Sequence, residues 1–146
     1  MADPDETADV AVAQDALMRF VRGFGLHQPD RTPCGQPLPV SEAHALTEVA
    51  RDGRLRQVEL ARRLRLEKST VSRLVTNLVG RGWISRQAAV EDGRGVLLEL
   101  TEAGASAAGR LAEARQQRLT ALLERVPEDE RAAVVRALQT LAEATE

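Results

Sequence analysis

A mainly α-helical chain carrying one short β-hairpin is the fold class that three observations predict. Apolar residues recur every three or four positions through most of the 146 residues, which is helical spacing. Aromatics are scarce: Phe20, Phe24 and Trp83 stand alone, with no Tyr. The core must then be built from Leu, Val and Ala, which favours packed helices over a β-sandwich. Two short β-prone runs flank the turn-rich stretch Val90-Glu91-Asp92-Gly93-Arg94-Gly95. The length suits one compact domain, and 43% hydrophobic content is too high for a disordered chain.

The elements follow in order. Residues 1–6 read as a loose tail. A first helix is expected from about Thr7 to Phe24, with Val10, Ala13, Leu17, Phe20 (or Val21) and Phe24 at helical spacing and Gly23 and Gly25 marking its end. Leu26 to Val40 holds Pro29, Pro33, Pro37 and Pro39 and reads as a loop, longer than most connections in a compact domain. Ser41 is expected to cap a second helix, with Glu42 in its first turn and Ala43, Leu46 and Ala50 as its buried stripe. Residues 51–56 read as a connector around Gly53. A third helix, roughly Gln57 to Arg63, is expected to bury Val58, Ala61 and Leu64. A fourth runs from about Lys68 to Arg81, where Gly82 breaks the pattern. Trp83 to Ala88 and Val96 to Leu100 read as two strands. Thr101 is expected to cap a long helix to about Arg125, with Ala107, Ala108, Leu111, Leu122 and Leu123 available for packing. Pro127 interrupts it, and Pro suits the first turn of a new helix whose positive end favours Glu128, Asp129 and Glu130. That last helix carries Val134, Val135, Leu138, Leu141 and Ala142 on one face.

Net charge is −2, but its distribution is uneven. Residues 1–50 hold three Arg against eight acids, and residues 95–146 hold six Arg against nine. Residues 51–94 hold eleven basic residues against five acids. A basic middle between acidic flanks is a footprint for binding phosphate, which responds to local charge.

The fourth helix is the most informative segment. Val71, Leu74, Val75, Leu78 and Val79 make a buried stripe. The other face offers Lys68, Ser69, Thr70, Ser72, Arg73, Thr76 and Asn77, with no acid after Glu67. Ordinary surface helices mix Glu with Lys and Arg. Hydroxyls, an amide and cations instead suit phosphate oxygens and base edges in a major groove. The preceding helix is joined by only Leu64-Arg65-Leu66, which makes a helix-turn-helix, and the hairpin behind it makes a wing. Arg94 stands between two glycines at the wing tip, where it can enter a minor groove. Asp92 is close enough to pair with Arg94 and direct it. Arg86 on the first wing strand is a candidate phosphate contact.

Five pieces in order carry a resemblance. They are Val58-Glu59-Leu60-Ala61-Arg62-Arg63-Leu64, Ser69-Thr70-Val71-Ser72-Arg73-Leu74-Val75, Leu78-Val79-Gly80-Arg81-Gly82-Trp83-Ile84-Ser85-Arg86, Asp92-Gly93-Arg94 and Leu100-Thr101-Glu102-Ala103-Gly104. Together they resemble the MarR family of bacterial transcription regulators, and the helical flanks fit as well. The resemblance implies a winged helix-turn-helix with a two-stranded wing, flanked by N- and C-terminal dimerisation helices. It divides one integrated domain into residues 1–40 (dimerisation helix and loop), 41–104 (DNA-binding region) and 105–146 (dimerisation helices). It implies a homodimer on a near-palindromic operator in double-stranded DNA, read by Ser69, Thr70, Ser72, Arg73, Thr76 and Asn77, with Arg94 as the minor-groove finger. It further implies a repressor relieved by a small, often aromatic or phenolic effector bound near helices one, two and five. One departure is Gly93, where the family's wing often has a basic residue. Independently, the terminal helices need apolar partners that one lobe of this size does not supply, and a two-fold dimer would set two reading helices about one DNA turn apart.

Cys34 lies in the Pro-rich loop, with His27, Glu42 and His44 nearby in sequence. Three readings stay open: an ordinary loop residue, a redox-sensing thiol, or a zinc ligand with His44 and Glu42 or His27. Zinc-sensing members of the family also use His from the helix after the wing, and here that helix has none. A single cysteine excludes an internal disulfide. No apolar run reaches the length of a membrane span, and residues 1–10 lack the pattern of an export signal, so the cytoplasm is the expected location and no membrane partner is expected. There is no nucleophile–base pair, phosphate loop or carboxylate cluster, so neither catalysis nor a cofactor is expected. The competing function is a winged helix that binds protein instead of DNA.

Overall fold

The computed structural model describes residues 4–90 and 94–146, with the side chains of the first helix from Thr7 onward. Along the chain run α1 (Pro4–Phe24), α2 (Val40–Asp52), β1 (Arg54–Arg56), α3 (Gln57–Leu64), α4 (Lys68–Gly80), β2 (Ile84–Ala88), β3 (Val96–Leu100) and α5 (Glu102–Glu124). A 3-10 turn at Glu128–Glu130 leads into α6 (Arg131–Ala144). The strands form an antiparallel sheet in the order β1-β3-β2, with Leu55 opposite Leu98 and Ile84 opposite Leu100.

The core lies between α2, α3, α4 and this sheet. Leu46 and Val49 of α2, Leu60 of α3, and Val71, Val75 and Leu78 of α4 are all buried. Ile84 and Leu98 meet them from the sheet, and Ala107 and Leu111 of α5 close the cluster. Burying a Leu or Val side chain contributes roughly 1.5–3 kcal/mol each, so this mainly aliphatic cluster, with the half-buried Trp83 packed against it, holds the lobe together.

Several expectations change. β1 occupies the segment expected to be a connector, because the free edge of β3 pairs it, so the wing sheet has three strands instead of two. Val58 is 57% exposed, and Leu60 takes its place beside Ala61 in the core. In α2 the buried apolar set is Ala43, Ala45, Leu46 and Val49, while Ala50 faces solvent. Helix α2 also starts before Ser41: the Ala43 amide donates to the Pro39 carbonyl at 3.0 Å, and no side chain caps the end. Helix α1 begins at Pro4, whose fixed backbone angle suits a first turn. Val79 is partly exposed, unlike the rest of the α4 stripe.

The join between wing and α5 is tightly built. Thr101 caps α5 as expected, its hydroxyl accepting from the Gly104 amide at 3.0 Å. The same hydroxyl donates to the Gly82 carbonyl at 2.5 Å, and the Thr101 amide donates to the Trp83 carbonyl at 3.0 Å. Gly104 is needed there: a Cβ on it would lie 1.8 Å from the Trp83 oxygen.

The terminal helices are differently placed. No residue of α6 is buried, and Leu138 and Leu141 are 52% and 62% exposed. Val10, Val12, Leu17, Met18 and Phe20 of α1 are exposed too.

Candidate nucleic-acid interface

Helices α3 and α4 are joined by a sharp turn. Arg65 adopts the left-handed conformation at φ 53°, and the Leu66 amide reaches back to the Ala61 carbonyl at 3.1 Å. That bonding pattern ends many helices, usually with Gly at the left-handed position. The Arg65 guanidinium also donates to the Thr145 carbonyl at 2.5 Å, fastening the end of α6 to this turn.

Helix α3 is braced against α2 by charge. Arg63 donates to Asp52 at 2.7 Å, to Glu59 at 3.0 Å and to Glu48 at 3.2 Å. Hydrogen bonds from Arg62 and Arg63 hold the Glu59 carboxyl down at about 2, against an ordinary 4.5. The hydrogen bond from Arg63 likewise lowers Asp52.

On α4 the apolar face is turned inward, which aims the other face at solvent. Ser69, Ser72, Arg73 and Thr76 stand at i, i+3, i+4 and i+7, so they share one outward stripe. Lys68, Ser69, Arg73 and Thr76 are exposed, and Thr70 and Ser72 are half-buried. Glu67 precedes the first turn without a capping hydrogen bond from its side chain, so the amides there are available to a phosphate.

Two expected site residues are tied into the protein. The Asn77 amide donates to Glu42 Oε1 at 3.0 Å, and Arg81 Nε donates to Glu42 Oε2 at 3.1 Å. Glu42 is 3% exposed, so these bonds satisfy a buried carboxylate and pin the end of α4 to α2. Arg81 also lies over the Trp83 ring at 5.2 Å. Arg86, expected to face phosphate, is turned back onto α4: its Nη2 donates to the Ser72 carbonyl and the Thr76 hydroxyl, both at 2.9 Å. Glu42 therefore has a positioning role that sequence reasoning missed, since its partners lie 35 and 39 residues away.

In the wing, Glu99 of β3 pairs with Arg54 of β1 and accepts from Gln87 of β2 at 2.8 Å, which ties the three strands together. Arg94 is exposed beside Gly95, whose φ of 89° lets the chain enter β3. Asp92, expected to support Arg94, lies outside the described residues, as does Gly93.

The candidate metal ligands are separated. Positions 42 and 44 point to different sides of α2: Glu42 faces α4, and His44 lines a cavity of about 180 Å³ with Cys34. Phe24 of α1, Ala43 of α2 and Arg115 and Arg118 of α5 also line it. The Cys34 thiol lies 3.0 Å from the Thr32 hydroxyl. His27 is exposed in the turn after α1. Among the described residues no three His, Cys, Asp or Glu side chains gather to hold a metal, and both Glu42 oxygens are engaged by Asn77 and Arg81. Partial desolvation lowers the His44 pKa and the Arg115 charge lowers it further, against the opposing Glu48 carboxylate.

Three helices, a short turn and a sheet with a projecting hairpin define a winged helix-turn-helix DNA-binding fold. The comparisons agree and narrow it. The MarR family model matches residues 38–96. An uncharacterized HTH-type transcriptional regulator of Mycobacterium bovis is 30% identical over 127 residues, 85% of each chain. A mutant MarR from E. coli, solved with operator DNA, is 25% identical with a TM-score of 0.62, covering 71% of this chain and 75% of that one. The PcaV transcriptional regulator of Streptomyces coelicolor, solved with its natural ligand, has a TM-score of 0.69 at 23% identity over all of both chains. This chain belongs to the MarR family of transcriptional regulators. Among the described residues, no helix is long and apolar enough to cross a membrane.

Proposed function

We propose that the chain is a homodimeric repressor that binds a near-palindromic operator in cytoplasmic DNA and releases it when a small molecule fills the cavity beside His44. One observation carries the DNA reading: the stripe Ser69, Ser72, Arg73 and Thr76 faces outward on α4 with no acid in that helix. Lys68 and Thr70 flank it, Asn77 closes its far end, and Arg94 extends the surface at the wing. Arg73 is the side chain of this stripe that can bond a guanine edge through two parallel bonds.

The dimer is supported by the exposed apolar faces of α1 and α6; the groove between α1 and the end of α5 is mixed, with Phe20, Phe24 and Leu122 beside Arg19, Arg118 and Arg125. Apolar faces of that kind are rarely left open to water. The effector is supported by the cavity's apolar walls and by Arg115 and Arg118, which suit a small aromatic or phenolic ligand carrying negative charge.

Selection of bound sites from random duplexes tests the reading. The selected site should be palindromic. Arg73→Ala should lower affinity and relax base preference, whereas Arg94→Ala should weaken binding with little change in major-groove preference. Unchanged affinity in both variants would remove α4 and the wing as the interface.

A further inference from the structure

We propose that the cavity between α2 and α5 takes up an anionic ligand together with a proton, which His44 receives from solvent. This rests on the effector reading above and adds the regulation of that site.

Positive charge surrounds the cavity, and no carboxylate balances it there. His44 of α2 and Arg115 and Arg118 of α5 line it, with no Asp or Glu among the lining residues. Arg115 Nη1 donates to the Thr47 hydroxyl at 3.2 Å, which fixes the guanidinium between the two helices. Its Nε and Nη2 edge makes no hydrogen bond among the described residues. A carboxylate can meet such an edge through two parallel bonds. Arg118 lies over the Phe24 ring at 5.3 Å and has no carboxylate partner among the described residues.

His44 feels both signs of charge. Arg115 and Arg118 face it from α5, the Cys34 thiol from the loop, and Glu48 from its own helix. Glu48 is shared with Arg63 at 3.2 Å and Arg51 at 3.7 Å, so its charge is largely engaged elsewhere. Partial desolvation and the Arg115 charge favour the neutral ring. An anion held by Arg115 reverses that balance. It offsets the repelling charge and sets an attracting one beside the imidazole. His44 keeps part of its surface in solvent, which supplies the proton. Mild acid therefore tightens the ligand, and DNA is released at a lower ligand level. A neutral ligand of the same shape gains nothing from acid.

Calorimetric titration with benzoate, run in two buffers of different ionisation enthalpy, counts the protons taken up. Benzamide serves as the neutral probe of similar shape. Benzoate should bind with proton uptake at about pH 7. Its affinity should rise severalfold from about pH 8 to about pH 6, within the limit of about tenfold per pH unit for one proton. Benzamide should show neither effect. His44→Gln should abolish the uptake and leave benzoate affinity independent of pH. Benzoate binding without uptake in wild type, or uptake that persists in His44→Gln, would overturn the proposal. Arg115→Glu sets a tethered carboxylate in place of the ligand's, and thermal denaturation checks that it folds. NMR titration, with His27 assigned by its survival in His44→Gln, should then place His44 above the ordinary 6.5 instead of below it. A value still below 6.5 would also overturn the proposal. No saturable binding of benzoate, with the Arg115→Glu shift intact, would instead count against the effector reading beneath it.

Discussion

Gly104→Ala should destabilise the protein through one contact. The added Cβ would lie 1.8 Å from the Trp83 oxygen and 2.7 Å from its carbonyl carbon, both backbone atoms, whereas real Cβ atoms essentially never come within 3.0 Å. The α5 start and the Trp83 backbone must then part by at least 1.2 Å, the difference between those limits. That movement strains the Thr101 cap, worth about 1 kcal/mol, and the amide bond to Trp83, worth about 1 kcal/mol. Overpacking adds about 1–3 kcal/mol. Alanine's better helix propensity returns about 1 kcal/mol, leaving a net loss of about 2–4 kcal/mol. Gly109 lies in the same helix, and a Cβ there meets nothing within 4 Å. Gly109→Ala should therefore stabilise by up to about 1 kcal/mol. Urea denaturation at one fixed protein concentration measures both, since the proposed dimerisation would make stability depend on concentration. Midpoints that move in the same direction for both variants would refute the close approach.

Other perturbations reach other parts of the structure. Glu42→Ala leaves Asn77 and Arg81 without their shared acceptor and should cost about 3 kcal/mol in the same urea assay; a change under about 0.5 kcal/mol would mean the buried carboxylate anchors nothing. Glu59 stays ionised in the folded chain down to about 2 but protonates near 4.5 when unfolded, so its contribution is intact above 4.5 and fades as pH falls towards 2. Acid melts of wild type should fall more steeply through that window than those of Glu59→Gln, and parallel curves would contradict the Arg62 and Arg63 bonds. Replacing Leu138 and Leu141 by Asp should weaken the proposed dimer by about 3 kcal/mol or more, over a hundredfold, in sedimentation equilibrium. An unchanged dimer would place the interface elsewhere.

How much of this was legible depended on how local the deciding contact was. The α4 stripe spans more than two turns, so its phase was unambiguous, and the Thr101 cap is a contact between residues three apart. Helix α3 has eight residues, too few to choose between Val58 and Leu60, and packing against α2 and the sheet made the choice. The three residues of β1 carry no readable alternation; only the open edge of β3 makes them a strand. Glu42 looked like an acid at a helix start, because Asn77 and Arg81 are distant in sequence. Arg86 looked like a cation for phosphate, because nothing local shows a side chain folding back over its neighbour helix. Exposed basic residues are thus easy to assign to a partner and hard to assign to the protein itself.

The most direct test is the salt dependence of binding to a selected palindromic duplex, followed by fluorescence anisotropy with the stoichiometry determined. Two chains should bind each duplex. With six to ten phosphate contacts across a dimer, affinity should fall about 10³-fold or more between 50 and 200 mM salt. A flat salt response, or no saturable binding to any duplex, would contradict a DNA-reading dimer and point to a winged helix that binds protein.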